Sequence, residues 1–234
     1  MIKKRRIWMD LQQFSARTLI RWSFVCWLCL TPIGPTHAGQ SFFGLDLSYT
    51  ETTFEPQYTF TYDRPPVGYK NIAYGTDLDL LGGYRFQLAP LFSVGVGGSL
   101  GISTAEWSTD TTDPIAHLEY RLPYRLFATV QPAVHLLNRF RLFGELGIGS
   151  GYIEEKKESF LRSRYDESRW LWGYRLGAGI GYEFMRDTEI SVAYRYTGYE
   201  DFSYQTHLPD GTHWETVTDE PYSNQVVMSL IRKW

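Results

Sequence analysis

The sequence predicts an all-β fold: an eight-stranded antiparallel up-and-down transmembrane β-barrel behind a cleaved signal peptide. Three observations carry that expectation: long stretches of strict two-residue alternation, connections that alternate between short and long, and a basic-then-apolar leader. The clearest alternation runs from Arg169 to Tyr199. Trp170, Trp172, Tyr174, Leu176, Ala178, Ile180, Tyr182 and Phe184 alternate there with Arg169, Gly173, Arg175, Gly177, Gly179, Gly181 and Glu183, Leu171 being the exception. After Met185-Arg186-Asp187 the phase resumes, with Ile190, Val192, Tyr194 and Tyr196 set against Glu189, Ser191, Ala193, Arg195 and Thr197. Alternation of this kind gives a strand two unlike faces. The limbs also exceed soluble strands, which usually run about 5–6 residues, and suit the roughly 9–11 tilted residues that cross a bilayer.

Residues 1–38 read as the export signal, with 39–234 as the barrel domain. Lys3, Lys4, Arg5, Arg6, Arg17 and Arg21 form the basic region, Trp22 to Gly34 the short apolar one, and Thr36-His37-Ala38 the cleavage site; Met9 is an alternative start. Both cysteines, Cys26 and Cys29, fall in the apolar segment, so the mature chain is expected to carry no disulfide. The leader holds six of the 23 basic residues and one of the 26 acidic ones, leaving the mature chain at −8. That charge argues against a nucleic-acid partner.

Phase divides the mature chain into eight strands, at about 41–50, 75–87, 91–103, 118–136, 140–152, 169–184, 188–199 and 223–234. The even apolar residues of the fourth, including Leu118, Tyr120, Leu122, Tyr124 and Leu126, are expected on one face throughout. Connections after the second, fourth and sixth strands are tight, whereas 51–74, 104–117, 153–168 and 200–222 are long. Short turns at one end and long loops at the other are the pattern of outer-membrane barrels, with the long loops outside the cell.

Energetics decides which face meets lipid. An Arg at mid-bilayer on the lipid side costs about 2–4 kcal/mol, so Arg175, Arg195 and Glu145 must point into the lumen. The lumen face then carries Asp46, Asp77, Asp79, Glu119, Glu145, Glu183 and Glu189 opposite Arg85, Arg121, Arg125, Arg141, Arg169, Arg175, Arg195 and Lys233. Near-equal counts in a narrow interior imply pairing. Asp46, Asp79, Arg85, Glu145, Arg175 and Arg195 are therefore expected to form a structural ion-pair plug. Arg232 alone sits in the lipid-facing phase, near the chain end where snorkelling makes it cheap.

Leu81-Gly82-Gly83-Tyr84-Arg85-Phe86, the run Val192 to Tyr199 before an acidic loop, and an aromatic terminal strand together give a resemblance. The chain resembles the opacity-type (OmpA/OmpX-like) eight-stranded outer-membrane β-barrel proteins along essentially its whole mature length. The resemblance implies residence in the outer membrane among lipid and lipopolysaccharide. It also implies insertion by the barrel-assembly machinery, which reads a last strand ending in an aromatic residue; Val226, Met228, Leu230 and Trp234 match that signal. Arg232 departs from it, and Trp stands where Phe is commoner. Members of the family serve as surface antigens, adhesins or membrane-stabilising barrels.

No catalytic residue, cofactor or metal is expected. Ser103 and His117 flank the second long loop without a nucleophile motif around either. His207, Asp210, His213 and Glu215 surround Pro209-Asp210-Gly211, which reads as a hairpin tip rather than a metal site. The four long loops carry 17 acids and six bases. The last is the most acidic and holds Phe202, Tyr204, Asp210, Trp214 and Glu215 as candidate recognition residues, since exposed aromatics beside acids suit binding of a host or envelope protein. The expected function is thus a non-enzymatic structural or surface-antigen barrel. Narrow-channel transport is the alternative, and a lipid-modifying enzyme a weaker one.

Overall fold

The computed structural model describes residues 39–60, 65–108, 116–136, 139–159, 164–207 and 213–234. The expected leader and Asp210 lie outside them. The strands, in chain order, are β1 (Gly39–Phe54), β2 (Gln57–Phe60), β3 (Val67–Gly68), β4 (Asn71–Ala89), β5 (Phe92–Ser103), β6 (Glu106–Ser108) and β7 (Ala116–Leu136). They continue with β8 (Phe140–Ser159), β9 (Arg164–Met185), β10 (Thr188–Tyr199), β11 (Phe202–His207), β12 (His213–Asp219) and β13 (Tyr222–Lys233).

Strands β1, β4, β5, β7, β8, β9, β10 and β13 form one antiparallel ring. Each pairs with its neighbours in sequence, and β1 closes the circle by pairing with both β4 and β13: Leu45 lies opposite Leu80 on one side and Leu230 on the other. Among the described residues, closure leaves the ring no unpaired edge strand, which hydrocarbon would not tolerate.

The outer wall between its aromatic girdles is apolar. Leu45, Leu47, Leu78, Leu80, Leu100, Leu146, Ile148, Leu176, Ile180, Val192 and Met228 all face outward and are exposed. At the long-loop end the girdle contains Tyr49 and Tyr74 (6.3 Å between rings), then Tyr124, Tyr152 and Trp170, then Tyr174, Tyr196 and Tyr222. At the short-turn end Tyr84 packs on Phe86 and Phe140 on Tyr182. From Trp172 to Tyr182, ten residues at about 3.3 Å each and a tilt near 40° climb about 25 Å, the height of an outer-membrane apolar band.

Two features depart from the expected pattern. The first is a bulge in β7: Arg121 pairs with Glu154 but Tyr124 with Tyr152, so β7 holds one extra residue at Leu122-Pro123. A proline, which has no N–H to give the ladder, fits a bulge. The extra residue reverses the phase above it. Tyr120 and Leu122 turn inward and are buried, while Glu119 and Arg121, expected in the lumen, turn outward. Arg121 there pairs with Glu106 at 3.0 Å. The second is that the first and last long loops are not irregular. They fold into a separate four-stranded sheet in the order β11-β12-β2-β3, with Tyr204 opposite Val217 and Val217 opposite Tyr58.

Candidate functional site

Inward-facing residues fill the barrel in tiers. At the short-turn end Glu189 accepts from Arg85 (3.0 Å) and Arg141 (2.6 Å), and Lys233 contacts Glu183 at 2.6 Å. Next lies a small apolar layer of Ala133, Phe143, Ala193 and Val227, with the Arg141 guanidinium 4.3 Å from the Phe143 ring centre.

The middle tier is a continuous charge network. Arg195 reaches Asp46 (2.7 Å), Glu145 (3.0 Å) and Asp79 (3.6 Å). Arg125 spans Asp77 (2.5 Å) and Asp79 (2.9 Å), and Arg175 contacts Glu145 at 3.8 Å and donates to Ser99 at 3.2 Å. Gln225 and Thr50 also donate to Asp77. Multiple donors on each carboxylate are what a buried anion requires. The alternating glycines make the room: a Cβ on Gly101 would overlap Asp79 Oδ1 and lie 2.9 Å from Arg125 Nε.

Above this the lining turns aromatic. Arg175 stacks on Phe127 at 4.0 Å, Phe127 meets Tyr199 edge-on, and Phe54 stacks on Tyr120 at 4.8 Å. These residues join Leu122, Ile153 and Leu171 with Tyr58, Phe202, Tyr204 and Val217 from the loop sheet in one buried cluster. A Cβ on Gly151 would come within 2.7 Å of Tyr199 Cε1, so this tier also depends on glycine.

The loop sheet therefore has an apolar underside. Its other face presents Gln57, Thr59, Ser203 and Gln205 as exposed residues, with Thr216 and Thr218 half-buried between them. Arg169 ties the sheet to β9, donating to the Ser203 carbonyl and lying 5.1 Å from the Phe202 ring centre, while Glu200 accepts from the Trp172 N–H at 2.9 Å. Asp219 is fully buried where β12 ends; its Oδ1 accepts from the Glu55 N–H at 2.7 Å. Burial lifts the Asp219 carboxyl to about 7, against backbone hydrogen bonds from Glu55 and Glu220 and helped by the charges of those two residues. Burial likewise raises the hydroxyls of Tyr58 and Tyr204.

Of the six residues expected in the ion-pair plug, Asp46, Asp79, Glu145, Arg175 and Arg195 come together, whereas Arg85 sits in the lower tier on Glu189. Val226, Met228, Leu230 and Trp234 share the outward face, and Trp234 exchanges backbone hydrogen bonds with Ser41. The loop residues require correction. Phe202 and Tyr204 are 6% and 5% exposed and Glu215 is 5% exposed, so they build the core beneath the sheet instead of its surface. The side chain of Trp214, like those of His207, His213 and His117, lies outside the described residues. Two arrangements were not read from the sequence: the Arg125 bridge between Asp77 and Asp79, and a contact of 2.7 Å between Ser93 Oγ and His135 Nε2 near the short turns. Ser93 is buried, and among the described residues no carboxylate is hydrogen-bonded to His135.

Residues 26–213 match the family model described as outer membrane protein beta-barrel domain. The chain belongs to that family. No curated protein matches it in sequence. Among solved structures it is similar to OprG from Pseudomonas aeruginosa, at 15% identity over 83% of this chain and 96% of that one, with a TM-score of 0.48. It is also similar to Neisserial surface protein A (9% identity, 80% and 97% covered, TM-score 0.43). The outer membrane protease OmpT from Escherichia coli is a third such structure (9% identity, 87% and 99% covered, TM-score 0.48).

Proposed function

We propose that this member of the outer-membrane β-barrel family is a non-enzymatic, non-conducting barrel that stabilises the envelope and holds a folded sheet at the cell surface for interaction. One observation carries the reading: above the short-turn mouth the lumen is occupied, first by paired charges and then by an aromatic core under the loop sheet. Small barrels filled in this way have no continuous water path. The interaction surface is the neutral face of Gln57, Thr59, Ser203 and Gln205 with the acidic residues Glu200, Asp201 and Glu220 at its margin. Such a surface suits a hydrogen-bonding partner in the envelope or on a host cell. The outward strip Val226, Met228, Leu230 and Trp234 serves as the signal for the barrel-assembly machinery, and lipid with lipopolysaccharide surrounds the apolar wall.

Single-channel recording in a planar bilayer tests the reading. A reconstituted barrel is expected to give no discrete conductance steps; regular steps would replace it with narrow-channel transport. Unchanged lipid A mass spectra with and without the protein are the second expectation, and a change would point to a lipid-modifying enzyme.

A further inference from the structure

The short-turn mouth contains a cavity of about 310 Å3, partly open, whose polar lining is Gln40, Arg85, Gln87, His135, Glu183 and Lys233. The charges of its lining do not balance, with Arg85 and Lys233 against Glu183, and neither do those of the whole tier. Arg85, Arg141 and Lys233 share two carboxylates, Glu183 and Glu189. The matching excess carboxylate lies in the middle tier, where Asp46, Asp77, Asp79 and Glu145 face three arginines. The apolar layer around Phe143 separates the two tiers.

Arg85 is buried to within 5% of full enclosure, yet its Nε has no hydrogen-bond partner among the described residues, and neither does Nη1 of Arg141. A buried guanidinium short of a hydrogen-bond partner, in the wall of a cavity whose lining carries an excess of positive charge, favours an anion as the occupant. His135 adds an imidazole to the wall, fixed by Ser93 at 2.7 Å, and Gln40 adds an amide. The donors are of the planar, multidentate kind that match oxyanions.

We propose that this cavity binds one compact oxyanion of the phosphate class, either free or carried as the headgroup of an anionic phospholipid in the adjacent leaflet. Arg85 and Lys233 supply the two positive charges of the wall, and Glu183 limits affinity by holding Lys233.

The test uses the intact barrel in an uncharged maltoside detergent, with inorganic phosphate as probe and chloride as control, read by calorimetry. In parallel, barrel released from nanodiscs of mixed phosphatidylcholine and phosphatidylglycerol is weighed by native mass spectrometry. Phosphate binding in detergent identifies a free-anion site; selective retention of phosphatidylglycerol alone identifies a headgroup site. The absence of both signals overturns the proposal. Arg85→Gln is expected to weaken whichever signal is present about tenfold, the scale of one lost charge-assisted hydrogen bond. Glu183→Gln removes a competing carboxylate at a partly exposed position and is expected to tighten it. That opposite sign decides the matter even if Arg85→Gln fails to assemble: unchanged or weaker binding in Glu183→Gln contradicts the site.

Discussion

Below Pro123 and above it, the same barrel wall is built by opposite rules. Below, lipid surrounds the wall, so apolar side chains point out and charges are driven into the lumen, where Arg195 and Arg125 each hold at least two carboxylates. Above, water surrounds the wall, and the apolar side chains turn in, as Tyr120, Leu122, Ile153 and Leu171 do. Strand β7 makes the exchange by inserting a residue. Strands β8 and β9 make it without a bulge, by changing residue type within the inward phase, from Glu145 to Ile153 and from Arg175 to Leu171. The difference teaches that a barrel is two proteins in series: an inside-out one in the membrane and an ordinary one standing on it.

The largest effect is expected where the lower region keeps its charges. Arg195→Met leaves Asp46 and Glu145 without their principal partner and should cost about 3–5 kcal/mol, read as a lower urea midpoint in lipid vesicles. Tyr120→Ala should cost about 3 kcal/mol or somewhat more in the upper region. Its signature differs, because protease sensitivity should rise in β11 and β12 while the heat-dependent gel mobility of the barrel stays unchanged. Equal loss of both would mean that the two regions unfold as one.

Acid should strengthen the upper region selectively. The Asp219 carboxyl is raised by folding to about 7, so the folded state binds its proton more tightly than the unfolded one. The stabilisation is complete below the ordinary carboxylate range and is lost as pH rises through about 7. Hydrogen exchange in β12 should therefore slow between pH 7 and pH 5 relative to the lower strands, after correction for intrinsic rates, and Asp219→Asn should remove that dependence. The smallest effect belongs to Arg121→Ala on the outer wall, whose half-exposed pair with Glu106 and more enclosed pair with Glu119 are together worth about 1 kcal/mol.

The lower region was legible because lipid enforces alternation at every position: a single misplaced arginine is expensive, so sequence phase and side-chain direction coincide along β9 and β10. The pairing of Asp46, Asp79, Glu145, Arg175 and Arg195 follows from their common inward phase and near-equal charge counts, while Arg85, in the same phase, lies in the tier below. The upper region was not legible by that rule. Water tolerates either phase, so Tyr120 and Leu122 carried no sign of the bulge except Pro123. Phe202 and Tyr204 alternate with Ser203 and Gln205 as a strand would, a signal overshadowed by the acids around them. Phe202 and Tyr204 of that acidic loop form a core and not a surface. Leu171, the one odd-phase exception in its limb, marked where the rule changes.

The most direct test is nitroxide scanning of β7, since residues 39–234 contain no cysteine. Single cysteines from Glu119 to Val134 are spin-labelled in reconstituted barrel, and accessibility to oxygen and to a water-soluble nickel chelate is measured. The two-region account predicts oxygen-rich labels at the even positions Tyr124, Leu126, Ala128 and Val130. It then predicts a reversal at Leu122-Pro123, with chelate-accessible labels at Arg121 and Glu119 and protected ones at Tyr120 and Leu122. An even phase that continues outward through Leu122 and Tyr120 would contradict it.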